Sequence, residues 1–301
     1  MPSGATTHRT GVRRQPGQGR LRSVSRSGTV NTAAPAVEDM KILVTVAEVA
    51  EVEDEFEIDG LGVAEQYLDY DLNEWDDYAT EEAVQIQEAD EDVEVVSATI
   101  GPERSEETIR MALAKGVDRA IRVWDDDLEG VDFLDVGAKT RILAAVVEAE
   151  DPDLVLTGVQ SADNAFGATG VSLADAIGFE WAAVVNDLDL EGEVASVHRE
   201  LEGGVEELTD VELPAVLTIQ TGINEPRYAS LRGIRQAQSK EIAPHTLEDL
   251  GLAADVVDDR LTMTDMYEPE SESDATLFEG GPDEEAGQLA ELLREKGVVE
   301  A

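Results

Sequence analysis

The residues best suited to holding a ligand are consecutive: Asp153, Leu154, Val155, Leu156, Thr157, Gly158, Val159, Gln160, Ser161, Ala162, Asp163 and Asn164. An apolar strand breaks here into a turn of small and polar side chains. Small residues let the backbone approach a ligand closely. Asp163 and Asn164 offer acceptors for a ribose or for amide groups. A helix then begins near Gly167 to Gly170, and its first-turn amides suit a phosphate. The chemistry this pattern fits is nucleotide binding. Glycine-rich turns after strands are common, however, and the pattern alone leaves a plain structural turn equally open. Nucleophilic catalysis finds no support, because His8, His198 and His245 lie far apart and no Ser-His-Asp or Cys-His arrangement can be assembled. No histidine has a companion at metal-ligand spacing, and with no cysteine, disulfides and iron–sulfur ligation are excluded. Asp125-Asp126-Asp127 reads as a solvated loop, and Trp75 and Trp181 as core or cofactor-proximal packing.

A second segment stands out by its charge. Asn224-Glu225-Pro226-Arg227-Tyr228-Ala229-Ser230-Leu231 follows the apolar strand Leu213 to Ile219. It leads into a helical pattern carried by Leu231, Ile234 and Ala237 or Gln238. Pro226 fixes its own φ and biases Glu225 away from helix, which makes a defined excursion. Arg227, Arg232 and Arg235 gather positive charge in a chain of net charge -46. The segment is either a basic loop and helix capping its own domain, or a docking element presenting Leu231 on a basic collar.

This segment resembles the signature of the electron transfer flavoprotein beta subunit, the smaller half of a flavin-carrying heterodimer. The Asn-Glu-Pro-Arg-Tyr core, the Ala-Ser-Leu after it and Ile234 carry the likeness. The resemblance implies that Asn224, Glu225, Pro226, Arg227, Tyr228 and Leu231 recognise partner dehydrogenases, with Leu231 as anchor. The family's Pro-Asn-Ile and lysine-rich continuation are not matched, since Arg232-Gly233-Ile234 and then Gln236 and Ser239 stand here. No role passes to those lysines.

The same family binds AMP on a stretch like Asp153 to Asn164. Leu72 to Ala83 is similar to its Asn-Pro-Phe-x-Glu-x-Ala-x-Glu-Glu-Ala segment. That likeness puts Asn73, Glu74, Trp75 and Asp76 at AMP-contact positions, although Glu74 replaces the usual proline. Thr45 on the first strand and Ile100 before Gly101-Pro102 occupy two more, and Thr169 and Gly170 close the site at the next helix. Electron-bifurcating relatives hold a second FAD in place of AMP and show Val-Gly-Pro where Ala168-Thr169-Gly170 stands here, which favours AMP. The implied role is that of an electron carrier. It would pair with an alpha subunit holding most of the FAD and pass electrons from primary dehydrogenases, such as acyl-CoA dehydrogenases of fatty-acid oxidation, to a quinone oxidoreductase. The membrane is touched only through that acceptor, and no residue of this chain need act as acid or base. An alternative of another class is a stand-alone ATP-binding module of stress-protein or hydrolase type, which has no use for the Asn224 segment.

The elements positioning these residues alternate. Strands are expected at Ile42 to Val46, Val93 to Ala98, Arg119 to Trp124 and Leu154 to Thr157. Helices are expected at Thr80 to Gln87, Ser105 to Lys115, along the stripe Leu134, Ala138, Ile142, Ala145 and Ala149, and at Ala168 to Ile177. Ala182 to Leu188, Glu193 to Arg199, Val205 to Val211 and Leu213 to Ile219 read as further β pieces. Alternation on this scale predicts an α/β fold, a mostly parallel doubly wound sheet with a small added β element, and the family resemblance implies that it is of the adenine-nucleotide alpha-hydrolase type. Residues 48–71 are acidic and carry no assignment. The expected divisions are a basic extension at 1–39, a nucleotide-binding domain at 40–240 with its recognition loop at 222–240, and a C-terminal arm at 241–301. The arm ends in an amphipathic helix carrying Leu289, Leu292 and Leu293, which the resemblance wraps around the alpha subunit.

The first 39 residues carry six arginines and no apolar periodicity, which points to Met40 as the initiator or to a disordered basic arm. The remaining composition bounds the surroundings. Acidic residues number 68 against 22 basic ones, and they are spread through segments of good apolar periodicity. A folded protein with a strongly hydrated surface, as in proteins adapted to high salt, fits that distribution. Nucleic acid is an unsuitable partner for so negative a surface. No apolar run approaches the about 18 residues that cross a bilayer, so a soluble, cytoplasmic protein is expected. Self-repulsion at this charge weakens the compact state until counterions screen it. The melting temperature should therefore climb between low and molar salt; a flat profile would contradict the expectation.

Overall fold

The computed structural model describes residues 40–131, 133–258, 261–269 and 275–298. The expected extension at 1–39 lies outside the described residues. β1 (Met40–Thr45) is the central strand, with Ile42 and Val44 in one core and Leu43 in the other, all fully enclosed. Burial on both faces is what a parallel strand between two helical layers requires. An excursion follows, in which β2 (Glu48–Val52) pairs antiparallel with β5 (Leu68–Leu72) around the small hairpin of β3 (Ile58–Asp59) and β4 (Gly62–Val63). Residues 48–71 thus form a β element of their own. In β5 the acids Asp69 and Asp71 alternate outward with Leu68, Tyr70 and Leu72.

The chain next lays down α1 (Glu74–Ala89), β6 (Val93–Ile100), α2 (Glu106–Lys115), β7 (Arg119–Val123) and the short α3 (Asp126–Glu129). It returns through α4 (Val136–Glu150) to β8 (Leu154–Gly158), then α5 (Thr169–Ile177) and β9 (Glu180–Val185). A three-stranded antiparallel meander, β10 (Asp187–Glu191), β11 (Val194–Leu201) and β12 (Val205–Glu212), precedes β13 (Ala215–Ile219). Finally come α6 (Leu231–Ala237), β14 (Ile242–His245) and α7 (Pro282–Glu295). The main sheet has seven strands in the order β14, β7, β6, β1, β8, β13, β9, and every pairing is parallel. Helices α1 and α2 pack Ala79, Ala83, Ile109 and Leu113 into one core. Helices α4 and α5 pack Ile142, Val146 and Leu173 into the other. The chain winds outward from β1 through β6 and β7, then from β8 toward β13. The connections leaving β1 and β8 therefore diverge, which makes the gap between them the place for a ligand.

Several expectations are corrected. α1 starts at Glu74, six residues before the expected Thr80. Glu74, Asp76 and Asp77 place negative charge in its first turn, where the helix dipole favours it, and so replace the missing proline as a start signal. Ala182 to Leu188 divides between two sheets. Val184 sits at φ 61° beside a bulge in the pairing of β9 with β13, and its amide donates to Thr218 Oγ1 at 2.8 Å. Trp181 is 48% exposed, so it is no core residue. Asp125 caps α3 by accepting from the amides of Asp127 and Leu128, and its other oxygen accepts from Leu247 at 2.8 Å.

The segment after residue 240 opens inside the sheet. β14 is an edge strand beside β7, a position that tolerates Pro244. Leu247 and Val256 are buried in the core under α4, and the Arg141 guanidinium donates to the Val256 carbonyl. α7, by contrast, has no buried residue. Among the described residues no helix is long and apolar enough to cross a membrane.

Candidate nucleotide site

A cleft opens at the carboxyl ends of β1, β6 and β8. Its lining includes Thr45, Asn73, Asp76, Ile100, Thr157, Gly158, Val159, Gln160, Ser161, Asp163, Asn164 and Thr169. These are the residues expected from β1, β6, the start of α1, the turn after β8 and the start of α5, now brought together.

Asp76 is the organising group. It is buried, with Oδ2 accepting from the Ala47 amide and Oδ1 from the Gly158 amide, both at 2.9 Å. One carboxylate thus ties the chain leaving β1 to the chain leaving β8. Gly158 is required at this contact, because a Cβ there would stand 2.6 Å from both Asp76 Oδ1 and Trp75 Cβ. Burial pushes the Asp76 carboxyl up from 3.8 to about 6, against the opposing pull of the Ala47 amide, Asn73, the Gly158 amide and the Lys139 charge. Asn73 extends the same tie. Its Nδ2 donates to the Gln160 carbonyl at 2.9 Å and its Oδ1 accepts from the Ala162 amide at 3.2 Å. At the other side, α5 starts almost on top of the strands, and a Cβ on Gly170 would collide with the side chains of Thr157 and Thr218. No side chain caps this helix, so its first-turn amides remain available to a phosphate.

Some expected residues stand elsewhere. Leu154, Val155 and Leu156 are fully buried in the core beneath the cleft. Asp153 lies at the opposite end of β8, where its carboxylate accepts from the Lys41 amide at 2.8 Å. Glu74 is exposed, Trp75 donates its indole N–H to Gln220 Oε1 at 3.3 Å, and neither they nor Ala162 and Gly170 line the cleft. Conversely, the cleft includes Leu134, Val136, Lys139 and Leu143, which the sequence reading did not assign. Val136, Lys139 and Leu143 recur at helical spacing on the face of α4 beside its core stripe of Ala138 and Ile142. That second stripe was the available signal. Phe166 adds an aromatic wall and packs on Phe133 with ring centroids 6.0 Å apart. Apolar walls, amide donors, small residues and a lysine together fit a mononucleotide.

The Asn224 to Leu231 segment, expected to recognise a partner, is held from behind by α1. Asn224 Nδ2 donates to the Tyr78 carbonyl at 3.1 Å and to Glu82 Oε2 at 2.9 Å. Arg227 donates to Glu81 at 2.8 and 3.0 Å and to Glu88 at 2.6 and 2.9 Å. Burial pushes the Glu81 carboxyl up, but the hydrogen bonds from Arg227 and Gln85 outweigh it and hold it below the usual range. Arg227 is therefore neutralised inside the fold, and the expected basic collar reduces to Arg232 and Arg235, both exposed. Ser230 caps α6 by accepting from the Gly233 amide at 3.0 Å. Arg110 donates to the Ala237 and Lys240 carbonyls, which fixes the far end of α6 on α2. Tyr228 is left 98% exposed and Leu231 78% exposed on a fixed base.

The parallel sheet and the cleft at its switch point define a doubly wound α/β protein. Residues 60–250 match the electron transfer flavoprotein domain. An electron transfer flavoprotein subunit beta from Methylophilus methylotrophus is 48% identical over 264 residues, covering 85% of this chain and 98% of that relative. The Bacillus subtilis counterpart is 30% identical over 261 residues, 86% of this chain and all of that relative, and the human one 35% over 216 residues, 71% and 84%. The chain belongs to the electron transfer flavoprotein family, as a beta subunit.

Asp76→Ala should leave two amides without an acceptor, costing about 1–3 kcal/mol each. An acid whose pKa is raised on folding contributes stability that is complete below its unfolded value and lost as pH rises through the folded one. The stability gap between wild type and Asp76→Ala should thus be largest below pH 4 and shrink as pH passes about 6. Chemical denaturation of both proteins across that range cancels the chain's other acids; a gap that widens with pH would refute the assignment.

Proposed function

We propose that this chain works as one half of an electron-carrying heterodimer, holding AMP in the cleft at Asp76 while docking dehydrogenases on the Asn224 to Leu231 segment. The observation that carries this reading is the contrast within that segment. Asn224 and Arg227 are fastened to α1, whereas Tyr228 and Leu231 are turned out to solvent. A large apolar side chain held rigidly in water is what a partner-binding anchor needs, since little further ordering is required on docking. An alpha subunit would hold FAD with this chain, and the flavin supplies the redox chemistry. This chain supplies shape, charge and contact. α7 carries Leu289, Leu292 and Leu293 with no buried residue, and it would pack on the alpha subunit. Electrons would enter from acyl-CoA or similar dehydrogenases and leave to a quinone-linked acceptor.

Co-expression with the alpha subunit should yield a yellow heterodimer, and denaturation should release FAD and AMP, resolved by mass spectrometry. A colourless homodimer that turns over ATP would overturn the proposal. In the heterodimer, Leu231→Ala should preserve flavin and AMP content yet lower kcat/KM for reduction by the partner dehydrogenase about tenfold or more. Unchanged transfer kinetics would remove Leu231 as the anchor.

A further inference from the structure

We propose that Lys139 is the phosphate counter-charge of the cleft and the residue that makes it select a nucleoside monophosphate over the uncharged nucleoside. This deepens the AMP reading above and rests on it. A terminal phosphate monoester carries about 1.5 to 2 negative charges at neutral pH, and the chain receiving it has a net charge of -46. The cleft's lining already contains the carboxylates of Glu48, Asp76 and Asp163. Bringing a phosphate there needs a cation, and Lys139 is the one lysine or arginine in that lining.

The other lysines of the α/β body are already engaged. Lys41 pairs with Glu150 at 3.3 Å, and Lys115 pairs with Asp77. Lys240 donates to the carbonyls of Leu113, Gly116 and Val117 at the end of α2. Among the described residues the Lys139 ammonium forms neither an ion pair nor a hydrogen bond, while its backbone amide donates to the Asp135 carbonyl within α4. It stands half-buried on the α4 face between Val136 and Leu143, which line the same cleft. A half-buried ammonium with no direct ion pair, acting on Asp76 only across the cleft, has room for an anion that contacts it. Ala168 and Thr169, at the uncapped start of α5, line the same cleft, where first-turn amides suit an anion. Lysine serves as a point charge for phosphate where a fixed fork geometry is not needed.

The test uses the purified heterodimer, with AMP and adenosine as probes and flavin content as the folding control. Wild type should release AMP on denaturation and, once stripped and refolded, bind AMP far more tightly than adenosine. Lys139→Gln should weaken AMP tenfold or more, leave adenosine within about twofold, and flatten the salt dependence of AMP binding; Lys139→Arg should recover most of the AMP affinity. If Lys139→Gln keeps the wild-type preference for AMP over adenosine, Lys139 is not the counter-charge, although the AMP reading stands. Equal losses for AMP and adenosine would make Lys139 a packing residue and overturn the proposal. A wild-type heterodimer that releases no AMP removes the reading itself.

Discussion

The structure depends on a carboxylate placed where two directions of chain growth part. A doubly wound sheet opens a gap at its switch point because the connections from neighbouring strands leave toward opposite faces. Left alone, that gap would expose backbone amides with no partner. Asp76 closes it by accepting from Ala47 on one side and Gly158 on the other. Burying the charge is unfavourable, and two short amide bonds offset much of that cost.

The same helix serves both ends of the molecule. The start of α1 provides Asn73 and Asp76 to the cleft, and its later turns provide Glu81, Glu82 and Glu88 to the recognition segment. The cleft and the Asn224 to Leu231 segment are therefore both referenced to α1. In so acidic a chain, several carboxylates are set apart by meeting a cation of the fold. Glu81 and Glu88 are spent on Arg227, and Glu150 is spent on Arg119 and Lys41. Asp76, Glu82 and Asp135 are buried as well, and many of the remaining acids are exposed.

Much of this was legible in the residues. The buried strands read clearly because Ile42 to Val44, Leu154 to Leu156 and Ala215 to Ile219 are continuous apolar runs, and α2 announced itself through its acidic first turn and Gly116. The turn after β8 was visible as a ligand-sized break. What escaped notice was tertiary in origin. The family likeness alone assigns Asp76 to the site, and its role as a tie is not legible in the residues, because the amides it accepts from lie 29 and 82 residues away. Lys139 sits on a second stripe of α4 that only the fold turns toward the cleft. The residues offer Leu231 as a presented side chain, and α6 does turn it and Ile234 outward, since Gly233 and Ala237 make its contact with the core and α2. β14 was masked by Pro244, which only an edge position allows.

If one carboxylate fastens the switch point, the amides it accepts from should be among the slowest to exchange outside the sheet itself. Residue-resolved hydrogen exchange on the heterodimer, with and without bound nucleotide, measures this directly. Strong protection at Ala47 and Gly158 in both states, lost together in Asp76→Ala, is the predicted result. Exchange at those amides as fast as at the exposed Tyr228 would contradict the account.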